Sequence, residues 1–226
     1  MQRANRRPRK RVAVLLAGSG VHDGSEIHEA VLALLALDRA GAEAVCVAPN
    51  VAQTTVLNHL TGDAMPGESR NVWVESARIA RGDARDLASL KVDEIDALIA
   101  PGGYGVTRNL STYALTGRDM MVLPDVGRVL RELYAKRKPM GFACTAPLLA
   151  ARVLGSRHPE LGIGGDYTLK MDMEAWGARV RSLTARDLVV DRDHRVACVA
   201  AYTATTAIGE VADGIERLAR AVLEMT

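Results

Sequence analysis

Residues 12–48 read VAVLLAGSGVHDGSEIHEAVLALLALDRAGAEAVCVA, and this stretch decides the fold. Val12–Ala17 (VAVLLA) is a continuous apolar run, the pattern of a strand buried on both faces. From about Ser25 to Arg39 the spacing predicts a helix, with Ala30, Val31, Leu34 and Leu35 on one face. Gly41 stands where a C-cap glycine would end it. Asp23 is placed to cap its start, with Glu26 three residues on as in a capping box. Ala44–Ala48 (AVCVA) is a second apolar run. Strand, helix, strand in this order requires a parallel pair joined by a helical crossover.

The alternation continues along the chain. Asn50–Asp96 is less regular and is expected to hold one or two helices. Ala97–Ala100 (ALIA) is a third strand, ending at Pro101-Gly102-Gly103. Asp125–Lys136 has helical spacing at Val126, Val129, Leu130 and Leu133. Met140–Ala143 (MGFA) is a strand with Cys144 at its end. LVVDRDHRVACVA (188–200) reads as two strands around a turn at Asp191–His194. The final helix carries Ile208, Val211, Ile215, Leu218, Val222 and Met225 on one stripe. The expectation is a three-layer α/β/α sandwich with a mostly parallel central sheet.

Composition narrows the class. Of 226 residues, 48% are hydrophobic and 25% charged, enough to bury a sizeable core. No run approaches the ~18 apolar residues of a membrane span, and the charged N-terminus lacks a signal-peptide segment. Three cysteines are too few for a disulfide framework and suggest free thiols, hence a cytoplasmic location. The net charge of +2 is uneven: Arg3, Arg6, Arg7, Arg9, Lys10 and Arg11 precede a remainder with 23 basic and 27 acidic residues. Residues 1–10 are read as a disordered basic tail and 11–226 as one domain. The acidic body speaks against a nucleic-acid partner.

In open α/β sheets, ligands bind beyond the carboxyl ends of the strands. Cys144 is the leading candidate there. It lies where a strand meets a helix, Pro147 suits that helix's first turn, and a thiol near a helix N-terminus is favoured as thiolate. The sharp turn matches a nucleophile elbow. Gly102 and Gly103 offer close backbone approach, and the Gly103 and Thr145 amides are candidate oxyanion donors. Cys46 and Cys198 lie inside strand patterns and read as core thiols.

GSGVHDGSEIHE (18–29) gathers Gly20, His22, Glu26, His28 and Glu29. Its glycines are spaced one residue too long for a dinucleotide fingerprint. HExxH is absent, so no metal is expected, and no cofactor. Glu26 has a capping job, whereas Glu29 lies a turn further in and could exchange a proton with the thiol.

Glu29, the PGG turn and the Cys144 elbow resemble the PfpI/ThiJ superfamily of class I glutamine-amidotransferase-like proteins, which have a flavodoxin-like sandwich. GSGVHDGSEIHEAV (18–31), LNHLTGDAM (57–65), RNVWVESARIARG (70–82), PGGYGVTRNLS (101–111) and GFACTAP (141–147) are similar to its ElbB-like, isoprenoid-biosynthesis group. The resemblance implies a usually dimeric, cofactor-independent protein acting on small α-oxoaldehydes, glyoxal to glycolate among them. It implies Cys144 as nucleophile and Glu29 as partner, with Glu26 as fallback and His28 or His22 assisting. AAYTATT (200–206) lacks the His and Glu that complete an amidotransferase triad, so glutamine hydrolysis is not expected. Two alternatives stand beside the glyoxalase expectation: a non-enzymatic cysteine redox sensor, and a hydratase, hydrolase or cyclase recruited to a biosynthetic pathway. The expected sulfur-to-carboxyl separation is roughly 3–4 Å.

Overall fold

The structure is a computed structural model and describes residues 9–226. Most of the expected tail, residues 1–8, lies outside the described residues. Arg9 and Lys10, assigned to that tail, are instead fastened to the body. Arg9 donates to the Gly41 and Ala42 carbonyls, at 3.0 and 2.9 Å, and the Lys10 carbonyl accepts from Glu43 N.

Strands β1 (Arg11–Leu15), β2 (Glu43–Ala48), β3 (Ala84–Asp86), β4 (Ala97–Ala100) and β5 (Met140–Ala143) are followed by β6 (Glu160–Ile163), β7 (Arg179–Ser182), β8 (Val189–Asp191) and β9 (Val196–Val199). Seven form the central sheet in the order β3-β2-β1-β4-β5-β9-β8; β6 and β7 pair separately. Every neighbouring pair in the central sheet is parallel except the β8–β9 edge. Val12 is in register with Ala44 on one side and Ala97 on the other. The flavodoxin-like three-layer sandwich is therefore observed.

The helices are α1 (Ile27–Arg39), α2 (Val72–Ile79), α3 (Gly105–Arg108), α4 (Tyr113–Thr116), α5 (Pro124–Ala135), α6 (Pro147–Leu154), α7 (Tyr167–Ala175) and α8 (Ile208–Glu224). Strand pleating divides the core in two. Ala13, Leu15, Leu98, Met140 and Phe142 pack with α5 and α6; Val12, Val14, Ile99 and Ala143 pack with α1 and α8. Among the described residues no helix is long and apolar enough to cross a membrane.

Several local expectations shift. Gly41, in the left-handed region at φ 74°, follows the α1 cap as expected. The buried face of α1, however, is Glu29, Ala30, Ala33, Ala36 and Leu37, while Val31 and Leu35 face outward. Residues 30–37 are all apolar, so periodicity alone could not choose the face. The 50–96 stretch contributes one α-helix, α2, and also β3, whose sequence ARD carries no strand pattern. Pairing with β2 makes it a strand.

Candidate active site

The carboxyl ends of β1, β4, β5 and β9 meet at one place. After β5 the chain turns sharply, leaving Cys144 at φ 57°, a left-handed conformation that costs a non-glycine residue about 1–3 kcal/mol. Cys144 N donates to Val199 O at 3.1 Å, which ties the turn to β9. Helix α6 begins at Pro147, as the sequence predicts.

Glu29 arrives from α1. The helix starts later than expected: its N-cap is Glu26, whose Oε2 accepts from Glu29 N at 2.7 Å. Asp23, read as the cap, instead accepts from Leu57 N at 2.8 Å. The backbone before the helix is held non-helical because Ser25 Oγ accepts from Ala17 N and Gly20 N donates to Ser25 O. This start puts Glu29 in the first turn, fully buried. Its Oε2 accepts from Gly102 N at 2.7 Å and its Oε1 from Tyr202 N at 3.3 Å.

The Glu29 carboxyl and the Cys144 thiol are neighbours across Gly102, close enough that each perturbs the other's proton affinity. Gly102 makes this approach possible. A Cβ on Gly102 would lie 2.4 Å from Cys144 Cβ and 2.9 Å from both Cys144 Sγ and Glu29 Oε2. The Gly103 and Thr145 backbone lies beside the Cys144 thiol and eases its ionisation.

Burial governs the protons. Desolvation, aided by the charge of Glu26, pushes the Glu29 carboxyl up to about 7, against the hydrogen bonds from Gly102 and Tyr202. Desolvation and the Glu29 charge hold the Cys144 thiol well above its ordinary value, against the Gly103 and Thr145 amides. The expected low-pKa thiolate is thus corrected: removal from water outweighs the helix end. Cys46 and Cys198 are buried core thiols, as read from the sequence.

A cavity of about 330 Å³ opens on the sulfur, lined by Val21, Glu26, Gly103, Tyr104, Cys144, Thr145, Asp166, Tyr202 and Thr203. His28 and His22 are not among these residues. His28 Nδ1 meets the Tyr202 hydroxyl at 2.7 Å, with the His28 side chain 55% exposed. His22 stacks against Tyr104 and lies beside His59, with ring centroids 6.3 and 5.0 Å apart. Gly20 belongs to that neighbouring cluster, against the His59 ring. The structure brings together Cys144, Glu29, Gly102, Gly103, Thr145 and Glu26, and leaves His28, His22 and Gly20 outside the cavity. Among the described residues no group of three or more His, Cys, Asp or Glu could hold a metal ion.

Asp166, Tyr202 and Thr203 escaped the sequence reading. Asp166 precedes an unexpected helix, α7, which it caps through Leu169 N at 2.9 Å. Tyr202 and Thr203 sit in AAYTATT, a segment with no His or Glu and no motif spacing to mark them.

A sheet of this order, with helices on both faces, has the flavodoxin-like fold of DJ-1/ThiJ/PfpI proteins. The chain is 43% identical to human "Glutamine amidotransferase-like class 1 domain-containing protein 3, mitochondrial", over 97% of this chain and 85% of that protein. It is 41% identical to the rat "ES1 protein homolog, mitochondrial", with the same coverage. The solved structure of an isoprenoid biosynthesis protein with amidotransferase-like domain from Ehrlichia chaffeensis superposes with a TM-score of 0.88 at 34% identity, covering 96% of this chain and 99% of that one. Drosophila melanogaster DJ-1beta shares the fold, with a TM-score of 0.56 at 17% identity over 96% of this chain and 95% of that one. No protein-family model matches. The chain belongs to the class I glutamine amidotransferase-like family. The cytoplasmic location expected from the cysteines is overturned by the mitochondrial names of the human and rat relatives. Free thiols report only a reducing environment, which more than one compartment supplies.

Proposed function

We propose that the protein is a cofactor-independent, glyoxalase-like enzyme in which Cys144 attacks the carbonyl carbon of a small α-oxoaldehyde. The observation carrying this is the buried thiol–carboxyl pair meeting across Gly102, with the Gly103 and Thr145 backbone beside it and an open cavity before it. In the carboxylate form, Glu29 takes the thiol proton as the S–C bond forms. Negative charge moves to the carbonyl oxygen, next to the Gly103 and Thr145 amides. For glyoxal, Glu29 returns that proton to the alkoxide to give the hemithioacetal, and its carboxylate then carries a proton from the hemithioacetal carbon to its neighbour through an enediol, leaving a thioester. Water hydrolyses the thioester, releasing glycolate and restoring the thiol. The sum adds one water to glyoxal and needs no redox partner. His28 enters this scheme only through the Tyr202 hydroxyl.

The burial and raised pKa of Cys144 disfavour a freely oxidised sensor thiol. The cavity volume favours substrates larger than a two-carbon aldehyde, which keeps the biosynthetic reading as second choice. The proposal includes a homodimer, checked by sedimentation at twice 24.2 kDa.

Incubation with glyoxal should yield glycolate by NMR, and Cys144→Ser should lower kcat by about 10³-fold or more, as loss of a nucleophile does. Turnover by Cys144→Ser equal to that of the unaltered protein would refute the assignment.

A further inference from the structure

A second cavity, of about 390 Å³, lies beside α3 and shares no lining residue with the one at Cys144. Its wall is mostly apolar, built from Val51, Leu115, Met121, Val122, Leu123 and Pro124. Leu115 and Met121 stand 74% and 68% exposed. Their backbone is nevertheless held, because Leu115 N donates to Thr112 O and Met121 N to Thr112 Oγ1, each at 2.9 Å. The result is a fixed apolar rim facing water, a feature that marks binding surfaces.

Arg108 is the one charged residue among the described lining residues. Its backbone is pinned: its N donates to Tyr104 O at 3.0 Å, and its carbonyl accepts from Thr54 Oγ1. Its guanidinium is not. It lies over the Tyr104 ring at 5.9 Å but makes no hydrogen bond and no ion pair among the described residues. Nε is wholly covered and has no acceptor. The two Nη groups, equally without one among the described residues, are left uncovered. Arg152 shows that packing on an aromatic ring does not require this. It lies over Trp176 at 5.8 Å, yet its Nε donates to Met120 O at 2.9 Å. The polar side chains around Arg108 supply no acceptor either. Ser111 Oγ donates to Val106 O, and Asn109 Oδ1 accepts from Thr54 N. A half-buried cation without a counter-charge costs free energy, which an anion on its open face would offset.

We infer that this cavity binds a small organic anion, with a carboxylate or phosphate head on the Arg108 Nη groups and an apolar body of about six carbons against Leu115, Met121 and Val122. The inference is independent of the chemistry read at Cys144. A cation would meet Arg108 as a like charge, and a neutral apolar compound would leave the guanidinium unpaired.

The probe is hexanoate, titrated into the full chain carrying ¹³C at the methionine methyl groups. The Met121 resonance is assigned with Met121→Leu. Hexanoate should shift that resonance to saturation. Hexanol and hexylammonium, which lack the anionic head, should bind at least about tenfold more weakly. Acetate and inorganic phosphate, which lack the apolar body, should do the same. Titration of hexyl phosphate beside hexanoate tells which head the site prefers. Arg108→Gln should weaken hexanoate at least about tenfold and leave hexanol unchanged. Leu115→Asp places a carboxylate at the exposed rim and should weaken hexanoate likewise, so the assignment does not depend on one variant; circular dichroism checks the folding of both. Cys144→Ser should leave hexanoate binding unchanged, and loss of binding there would assign the probe to the other cavity and overturn the inference. So would hexanol binding as tightly as hexanoate, or hexanoate affinity unmoved by Arg108→Gln and Leu115→Asp. A Met121 resonance that ignores hexanoate and moves only with protein concentration, as at a face between two copies, would overturn it as well.

Discussion

Cys144 and Glu29 share an environment in which neither charge is well tolerated, and this fixes how the site responds to pH. The Glu29 carboxyl titrates near 7, raised by burial from its ordinary 4.5. Its carboxylate is the base in the proposed reaction, so kcat/KM for glyoxal should climb through pH 7 and level off above it. Below 7 it should fall about tenfold per pH unit. A profile flat from pH 5 to 8 would exclude Glu29 as the base. Stability has the opposite sign. The folded state holds the proton more tightly than the unfolded chain, so the contribution is complete below about 4.5 and is lost as pH rises through 7. The buried carboxylate then costs roughly 3 kcal/mol. Glu29→Gln should abolish turnover yet raise Tm at pH 8, with no gain at pH 5. A gain independent of pH would mean that the charge is not the cause. Glu29 was legible in the sequence because capping did not explain it. The cap is Glu26 rather than Asp23, so Glu29 enters the first turn facing Gly102.

At the scale of elements, the site depends on loops held by buried polar groups. Gly102 joins β4 to the start of α1 twice, donating to Glu29 Oε2 and accepting from Glu26 N at 2.9 Å. Gly102→Ala would drive a methyl group into Cys144 and Glu29. It should cost about 1–3 kcal/mol by overpacking and reduce kcat far more than the stability loss explains. Wild-type kcat in a folded Gly102→Ala protein would contradict the geometry. Asn109 fastens the loop after β1: its Nδ2 donates to Ala17 O and Asp23 O, and its Oδ1 accepts from Thr54 N. Asn109→Leu leaves these groups unpaired and should destabilise by about 2–4 kcal/mol in urea titration. A change under ~0.5 kcal/mol would show the network to be dispensable. None of these contacts is periodic in sequence. Asn109 bonds to residues 55 to 92 positions away, so no local pattern announces it.

At the scale of the whole molecule, charge and chemistry are segregated. The chain's +2 owes its sign to the first eleven residues, whereas the cavity at Cys144 is lined by the carboxylates Glu26 and Asp166. Removing residues 1–8 should leave glyoxal turnover and Tm unchanged; a turnover defect would give the basic segment a part in the site. The sequence by itself determined the sandwich, because doubly buried strands must be apolar throughout and amphipathic helices must cross between them. It determined the elbow at Cys144 as well, since a short strand ending at Ala143 and a helix opening at Pro147 leave only Cys144, Thr145 and Ala146 to turn the chain. Tertiary structure alone decided the exposed side of α1, where an unbroken apolar run leaves periodicity silent. It made a strand of Ala84–Asp86 by pairing it with β2. It also reversed the expected acidity of Cys144, because a proton's affinity depends on how much water the surrounding elements remove. And it brought Glu26, Asp166 and Tyr202 to one cavity from segments far apart in the chain, a convergence fixed by strand order rather than by any local run of residues.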